Sequence, residues 1–297
     1  MKLRGIFFVF VILSLVLTAA DANAARGNAK YASLVVDADS GTILHNEYGE
    51  GIRHPASLTK LMTLYLSFEA LKNHKMNLNE TVWVSRHAAS QPRMSLALKT
   101  GDKITVKNLI DSVVVVSAND SAVVLAERLG KTESNFARMM TQRARQLGMK
   151  NTTFMNASGL HNPRQVTTAI DMAKMLMALK RDFPQYYPML SKNFFAYKGV
   201  EYGAHSSLLK NYQYTKAGKT GFVNASGFNL VLNAEKNGND LVGVVLGGRT
   251  AATRDNFMKN LLERNFNKLA GRTVSGGTKL ARNYSVPSKP AFTKAAN

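Results

Sequence analysis

Three short stretches of this 297-residue chain carry side chains that can do covalent chemistry together. Ser57-Leu58-Thr59-Lys60 opens an apolar segment, Ser117-Ala118-Asn119 interrupts the chain between two others, and Lys219-Thr220-Gly221 precedes a run of alternating apolar and polar residues. A serine hydroxyl is a weak nucleophile until a base takes its proton. Residues three apart share a helix face, so the Lys60 amine is placed to lie over the Ser57 hydroxyl. An ordinary lysine is neutral in about one molecule in a few thousand at pH 7, too few for an efficient base. Burial or a second positive charge must weaken its hold on the proton, and Lys219 is the candidate for that charge. Near a helix start, Ser57 also lies among backbone N–H groups that lack helical partners and can stabilise an oxyanion. Ser117 offers a hydroxyl for proton relay and Asn119 an amide to grip a substrate carbonyl. Lys219 and Thr220 offer charge and hydroxyl to an anionic group, and Gly221 lets a substrate backbone approach.

Taken singly these patterns are weak, because a Ser-x-x-Lys or Ser-x-Asn match arises by chance about once in a chain of this length. The same sequence holds Ser207 to Lys210, Ser191 to Asn193 and Lys99-Thr100-Gly101. Order and context choose among them. The set at 57, 117 and 219 puts the nucleophile at a helix opening, the second serine on a helix break and the third stretch ahead of a strand. Ser207 crowds against Lys219, and Lys99 comes before Ser117.

Periodicity gives the elements that must position this set. Ser33 to Val36 and Thr42 to Asn46 read as short strands around an Asp-Ser-Gly turn. Ser57 to Asn73 reads as a helix with Leu58, Leu61, Met62 and Tyr65 on one apolar face. Lys107 to Val116 is apolar, Asp120 is placed to cap a helix ending at Leu129, and Glu133 to Leu147 and Thr168 to Arg181 are further helices. Ser226 to Glu235 alternates, Asn237-Gly238 turns, and Leu241 to Leu246 returns as a buried strand. Helical spacing resumes from Thr253 to Leu269. Strands at both ends with helices between predict an α+β fold whose first and last segments share one sheet.

The domain layout follows from composition. Lys2 and Arg4, an apolar run from Ile6 to Ala20 and the small-residue exit Ala22-Asn23-Ala24 describe a secretory signal over residues 1–24. The catalytic domain is expected over 28–270, and 271–297, basic and without an acid, as a flexible tail. Formal charge is +20, with 39 Lys and Arg against 19 Asp and Glu, which favours anionic partners. Export argues against nucleic acid and for an anionic envelope surface, in the periplasm or elsewhere in the cell envelope. The chain has no cysteine, which excludes a thiol nucleophile, a zinc-thiolate site and a lipidated N-terminal cysteine. The six histidines show no ligand spacing, so no metal is expected. His54 reads as structural or surface, while His161 lies in a loop near the expected site, where a supporting role is open to it.

The three stretches form the set shared by penicillin-binding proteins and class A β-lactamases. With His54-Pro55-Ala56, Ser117 to Glu127, Ser158-Gly159-Leu160 and Leu246-Gly247-Gly248-Arg249, the chain from Tyr31 to Leu269 resembles the D-alanyl-D-alanine carboxypeptidases of the low-molecular-mass penicillin-binding group. The resemblance implies a β-lactamase/transpeptidase-like fold: a five-stranded antiparallel sheet flanked by helices, with a mainly helical subregion. It implies Ser57 as acylated nucleophile, Lys60 as its base and Ser117 as the proton carrier to the leaving D-alanine. Asn119 would hold the substrate amide, and Lys219, Thr220 and Arg249 the terminal carboxylate. The oxyanion hole would be the backbone N–H groups of Ser57 and Phe222. No cofactor is implied. The implied partners are peptidoglycan stem peptides, with β-lactam antibiotics as covalent inhibitors. Many relatives continue into a β-rich domain and an amphipathic membrane-resting helix, and the basic tail here lacks that periodicity.

Three other functions compete. Class A β-lactamases place a deacylating glutamate after the second motif, and there is none between Glu133 and Glu201. An endopeptidase cutting D-alanine cross-links would use the same motifs. A catalytically silent wall-binding protein would not need Ser57, Lys60, Ser117 and Lys219 together.

Overall fold

The structure, a computed structural model, describes residues 30–92, 94–204 and 206–274. The expected signal peptide and the tail beyond Val274 lie outside the described residues.

Strands β1 (Ala32–Asp37) and β2 (Ile43–Glu47) are followed by small pairs, β3 (Thr81–Trp83) with β4 (Lys103–Thr105) and β5 (Phe194–Tyr197) with β6 (Val200–Gly203). Then come β7 (Thr215–Val223), β8 (Gly227–Lys236) and β9 (Asn239–Gly248). The main sheet runs β2-β1-β9-β8-β7, antiparallel throughout. The first and last strands among the described residues do share it: β1 pairs with β9 from Ala32↔Leu246 to Asp37↔Leu241. The small pairs escape sequence reading because three or four residues hold too little alternation to register.

Helices cover both faces. They are α1 (Lys60–Lys72), α2 (Arg86–Ala89), α3 (Val106–Val115), α4 (Asn119–Gly130), α5 (Glu133–Gln146), α6 (Ala169–Asp182), α7 (Ser207–Asn211) and α8 (Ala251–Val274). Alternation in β8 divides the core. Leu230, Leu232 and Ala234 pack with Met258, Leu261, Leu262 and Phe266 of α8. Val231 on the other face joins the larger cluster built on α1, α3, α4 and α6. Helix α8 runs to Val274, past the Leu269 at which helical spacing fades.

Two local findings bear on the site. Residues Lys60 to Phe68 are buried on every side of α1, not on the one apolar face its sequence suggests. A helix buried all round sits within a core and is not laid across it, so its first residue, Lys60, is carried fully out of solvent. Second, Asp120 does not cap α4: Ala118 holds that position, without a side-chain bond. The Asp120 carboxylate instead accepts the N–H groups of Leu96 at 2.9 Å and Leu98 at 3.2 Å, because the 96–98 loop passes over the first turn of α4.

Candidate active site

Ser57 lies in a 3-10 turn, Ala56–Thr59, that leads into α1. The turn is held tightly from outside. Ala56 has φ +50°, and a Cβ on Gly159 (φ +87°) would stand 2.0 Å from its carbonyl oxygen. A Cβ on Gly221 of β7 would lie 2.9 Å from the Ser57 nitrogen and 3.1 Å from the Pro55 oxygen. Glycine is therefore required sterically at both places, and the close approach of β7 brings the third sequence motif to Ser57.

The Lys60 amine touches three oxygens: Ser57 Oγ at 3.1 Å, Asn119 Oδ1 at 2.7 Å and the Ser158 carbonyl at 2.5 Å. The Asn119 amide is oriented by its own Nδ2, which donates to the Pro92 carbonyl at 3.0 Å. Two of the three oxygens can only accept, and the third, a hydroxyl, can also donate. A neutral amine has two N–H donors and one lone pair, so it satisfies Asn119 and Ser158 and turns the lone pair on Ser57 O–H. Burial, reinforced by the Lys219 charge and opposed by Asp120, holds Lys60 well below the ordinary lysine value. Burial and the Lys219 charge thus act in the direction a base requires.

Ser117 occupies the break between α3 and α4 with φ +61°, uncommon for a residue with a side chain. Such strain concentrates where surrounding contacts impose it. Lys219 Nζ lies 2.9 Å from its Oγ, bridging the helical side of the cleft to the sheet. Lys219 is buried too, and burial first and Arg254 second push it down to about 7. The third motif lies on the edge strand β7, beside the anticipated hairpin of β8 and β9.

The other expected residues line the same end of the sheet. Thr220 is half-buried, and Phe222 is 50% exposed with its ring 4.4 Å from that of Phe228. Phe222 pairs with Phe228 and Phe228 with Gly248, so Arg249 leaves the sheet on the rung of Phe222. Arg249 is exposed. His54 binds the Gln165 carbonyl at 2.8 Å and meets His161 edge-on at 5.3 Å, behind the nucleophile turn. The competing motif at Ser207 is spent elsewhere, its hydroxyl on Asp255 at 3.2 Å.

Four residues to which the sequence reading assigned no role in the site help build it. Asn229 ties the turn before Ser57 to β8, and Arg254 and Asp255 form a buried ion pair behind it, 2.7 Å apart. Glu133 accepts the Ala157 N–H at 2.9 Å, fixing the loop that carries the Ser158 carbonyl. Two asparagines four apart on an apolar strand were the one available signal, since buried polar groups are held by partners.

The fold and the convergence of these stretches define a penicillin-binding, transpeptidase-like protein. The solved structure of penicillin binding protein 5 from Haemophilus influenzae superposes with a TM-score of 0.77 at 32% identity, over 80% of this chain and 70% of that one. A Listeria monocytogenes penicillin-binding protein in its ampicillin-bound form superposes with a TM-score of 0.72 at 30% identity, over 79% of this chain and 96% of that one. A family profile described as D-alanyl-D-alanine carboxypeptidase matches residues 18–250, and the chain belongs to that family. The D-alanyl-D-alanine carboxypeptidase DacC of Escherichia coli is 33% identical over 240 residues, 78% of this chain and 60% of that protein. A D-alanyl-D-alanine endopeptidase of Haemophilus influenzae is 28% identical over 259 residues, 81% of this chain and 84% of that protein. The chain thus spans about 60% of the length of the first of these curated relatives.

Proposed function

We propose that this protein is a serine D-alanyl-D-alanine carboxypeptidase that removes the terminal D-alanine from peptidoglycan stem peptides through an acyl-Ser57 intermediate. The observation that carries the reading is the Lys60 amine, fully buried and 3.1 Å from Ser57 Oγ, with its other two partners restricted to accepting. Neutral Lys60 takes the Ser57 proton as Oγ attacks the carbonyl of the last peptide bond. The developing oxyanion is met by the N–H groups of Ser57 and Phe222. The C–N bond breaks as the proton taken from Ser57 passes from Lys60 by way of Ser117, which touches Lys219 at 2.9 Å, to the leaving D-alanine nitrogen, and Lys60 is neutral again. Water then attacks the ester, Lys60 takes its proton and returns it to Ser57 Oγ as the ester C–O bond breaks, and the shortened peptide leaves with a new carboxylate.

Asn119 borders the cleft and is the residue assigned to the substrate amide. Lys219, Thr220 and Arg249 are assigned to the terminal carboxylate, which a cationic and hydroxylic rim suits. β-Lactams acylate the same serine, as inhibitors. The charged, apolar and small-residue succession over 1–24 supports export, and the excess of basic residues supports residence against an anionic envelope surface. Work on cell-wall peptides there would bear on cell shape.

The likeness to an endopeptidase over most of that protein's length favours a second reading, cleavage of D-alanine cross-links by the same machinery. The purified protein is incubated with a pentapeptide stem and with a cross-linked dimer, and products are weighed by mass spectrometry. Loss of one alanine from the stem is the expected result. Splitting of the dimer alone would replace the proposal with the endopeptidase. No change in either would leave a silent wall-binding protein.

A further inference from the structure

Asn229 is fully buried at a β-bulge, where pairing between β8 and β9 shifts between Phe228↔Gly248 and Leu230↔Val245. Its Nδ2 donates to the carbonyls of His54 at 3.0 Å and Pro55 at 3.2 Å. Its Oδ1 accepts the Gly247 N–H at 3.0 Å. Its backbone carbonyl accepts from Arg254 Nη1 at 3.3 Å. Asp255 clamps that guanidinium at 2.7 and 2.9 Å, and its other oxygen takes the Ser206 and Ser207 hydroxyls and the Leu208 N–H. A continuous set of hydrogen bonds therefore runs from α7 and α8, through the bulge, to the two residues before Ala56 and Ser57. Across the β7–β8 ladder, Asn229 faces Gly221, the residue that abuts the Ser57 nitrogen.

We infer that Asn229 is a positioning residue for acylation: its side chain fixes the turn that sets Ser57 Oγ and the Ser57 N–H against β7. The inference rests on the acyl-serine reading above. Pro55 and Ala56 carry no side-chain hydrogen-bonding group, so the turn cannot hold itself by capping. Within the turn the Pro55 carbonyl accepts only the Leu58 N–H, at 3.2 Å, and from outside the planar Asn229 amide, with two donors, reaches that carbonyl and the His54 carbonyl at once. The amide thus ties the turn that bears the Ser57 N–H to the rung of the sheet opposite Gly221, the residue before Phe222. Angular and distance errors there are costly, since a displacement near 1 Å lowers rates about a hundredfold.

Asn233 supplies a matched control. It lies on the same strand and is equally buried, but binds Tyr187 at 2.9 Å, the Leu241 carbonyl at 3.1 Å and Asp240, away from Ser57. The test compares wild type with Asn229→Ala, Asn229→Asp and Asn233→Ala in the full chain. Asn229→Asp keeps the volume and an acceptor for Gly247, but sets an oxygen against the His54 and Pro55 carbonyls. Acylation by a fluorescent penicillin is expected to slow about 10- to 100-fold in both Asn229 variants, per folded molecule, while non-covalent affinity moves less than about threefold. Hydrogen exchange over residues 52–61 is expected to speed up in the same variants and to stay at the wild-type rate in Asn233→Ala. Asn229 variants that acylate within twofold of wild type, or an Asn233→Ala that slows as much, would overturn the inference. A wild type that no penicillin labels would sink the acyl-serine reading instead, and the exchange comparison would still decide whether Asn229 holds the turn.

Discussion

The two walls of the cleft each present a buried lysine, and they treat it differently. On the helical wall Lys60 is enclosed by Ser57, Asn119 and Ser158, every contact supplied by the protein. On the sheet wall Lys219 has the Ser117 hydroxyl at 2.9 Å and a longer approach to the Thr220 carbonyl at 3.4 Å, on an edge strand where Thr220 is half-buried and Phe222 exposed. Both amines hold protons less firmly than a free lysine, and burial is the first cause in each. One environment is completed in advance and suits a base. The other keeps hydrogen-bonding capacity near the Arg254 charge and suits the recognition of an anion. Placing two like amines in one cleft separates their tasks through their partners and not through their chemistry.

The contrast breaks first at the helical wall. Ser57→Ala is expected to abolish covalent labelling by penicillin, read as the mass of the intact protein, and Lys60→Met to slow acylation by roughly 10²–10⁴-fold. Both losses should be the same whether or not the acyl donor carries a carboxylate. Label persisting on Ser57→Ala would remove the nucleophile assignment altogether.

At the sheet wall the loss should be selective. Lys219→Gln is expected to lower kcat/KM for a peptide ending in D-alanine by about 10–100-fold, the range for a buried charge-assisted hydrogen bond. The C-terminally amidated peptide should lose far less. Equal losses on both peptides would make Lys219 part of the proton machinery and erase the distinction drawn between the walls.

The third expectation concerns stability and its dependence on pH. Lys219 releases its proton at about 7 in the fold, against an ordinary value of 10.5. Below pH 7 folded and unfolded chains both carry the proton, and the fold bears the full cost of a buried cation. Between about 7 and 10.5 the unfolded chain binds more protons, so stability rises with pH across that window. The melting temperature of wild type should therefore climb relative to Lys219→Met from pH 7 to pH 9.5. A constant difference would mean that Lys219 stays protonated throughout.

The smallest effect is expected at the rim. Arg249 is exposed, and a solvent-screened charge contributes about 1 kcal/mol or less. Arg249→Gln should raise KM about threefold to fivefold with kcat unchanged. A fall in kcat would move Arg249 from binding the carboxylate into the acylation step.

Much of the frame was legible in residue order. The strands at either end, the helices from Glu133 and from Ala169, and the hairpin at Asn237-Gly238 all show their period locally. The helix that starts at Lys60 was visible, but not its burial on all sides, because periodicity reports which residues are apolar and not how many neighbours surround them. Asp120 looked like a cap until the 96–98 loop claimed its carboxylate. Asn229 and Arg254 gave no motif, since their partners lie up to 175 residues away.

By itself the sequence determined which groups were available: a serine and a lysine three apart, a serine set on a helix break, and a lysine with a glycine two residues on ahead of a hairpin. These are local facts, because helix geometry fixes neighbours three and four apart whatever the rest of the chain does. Tertiary structure alone decided that Lys60 reaches Asn119 across 59 positions and Lys219 reaches Ser117 across 102. It also decided that both amines lie out of water. Proton affinity depends on what surrounds a charge in space, and that surrounding is assembled only when distant segments pack together.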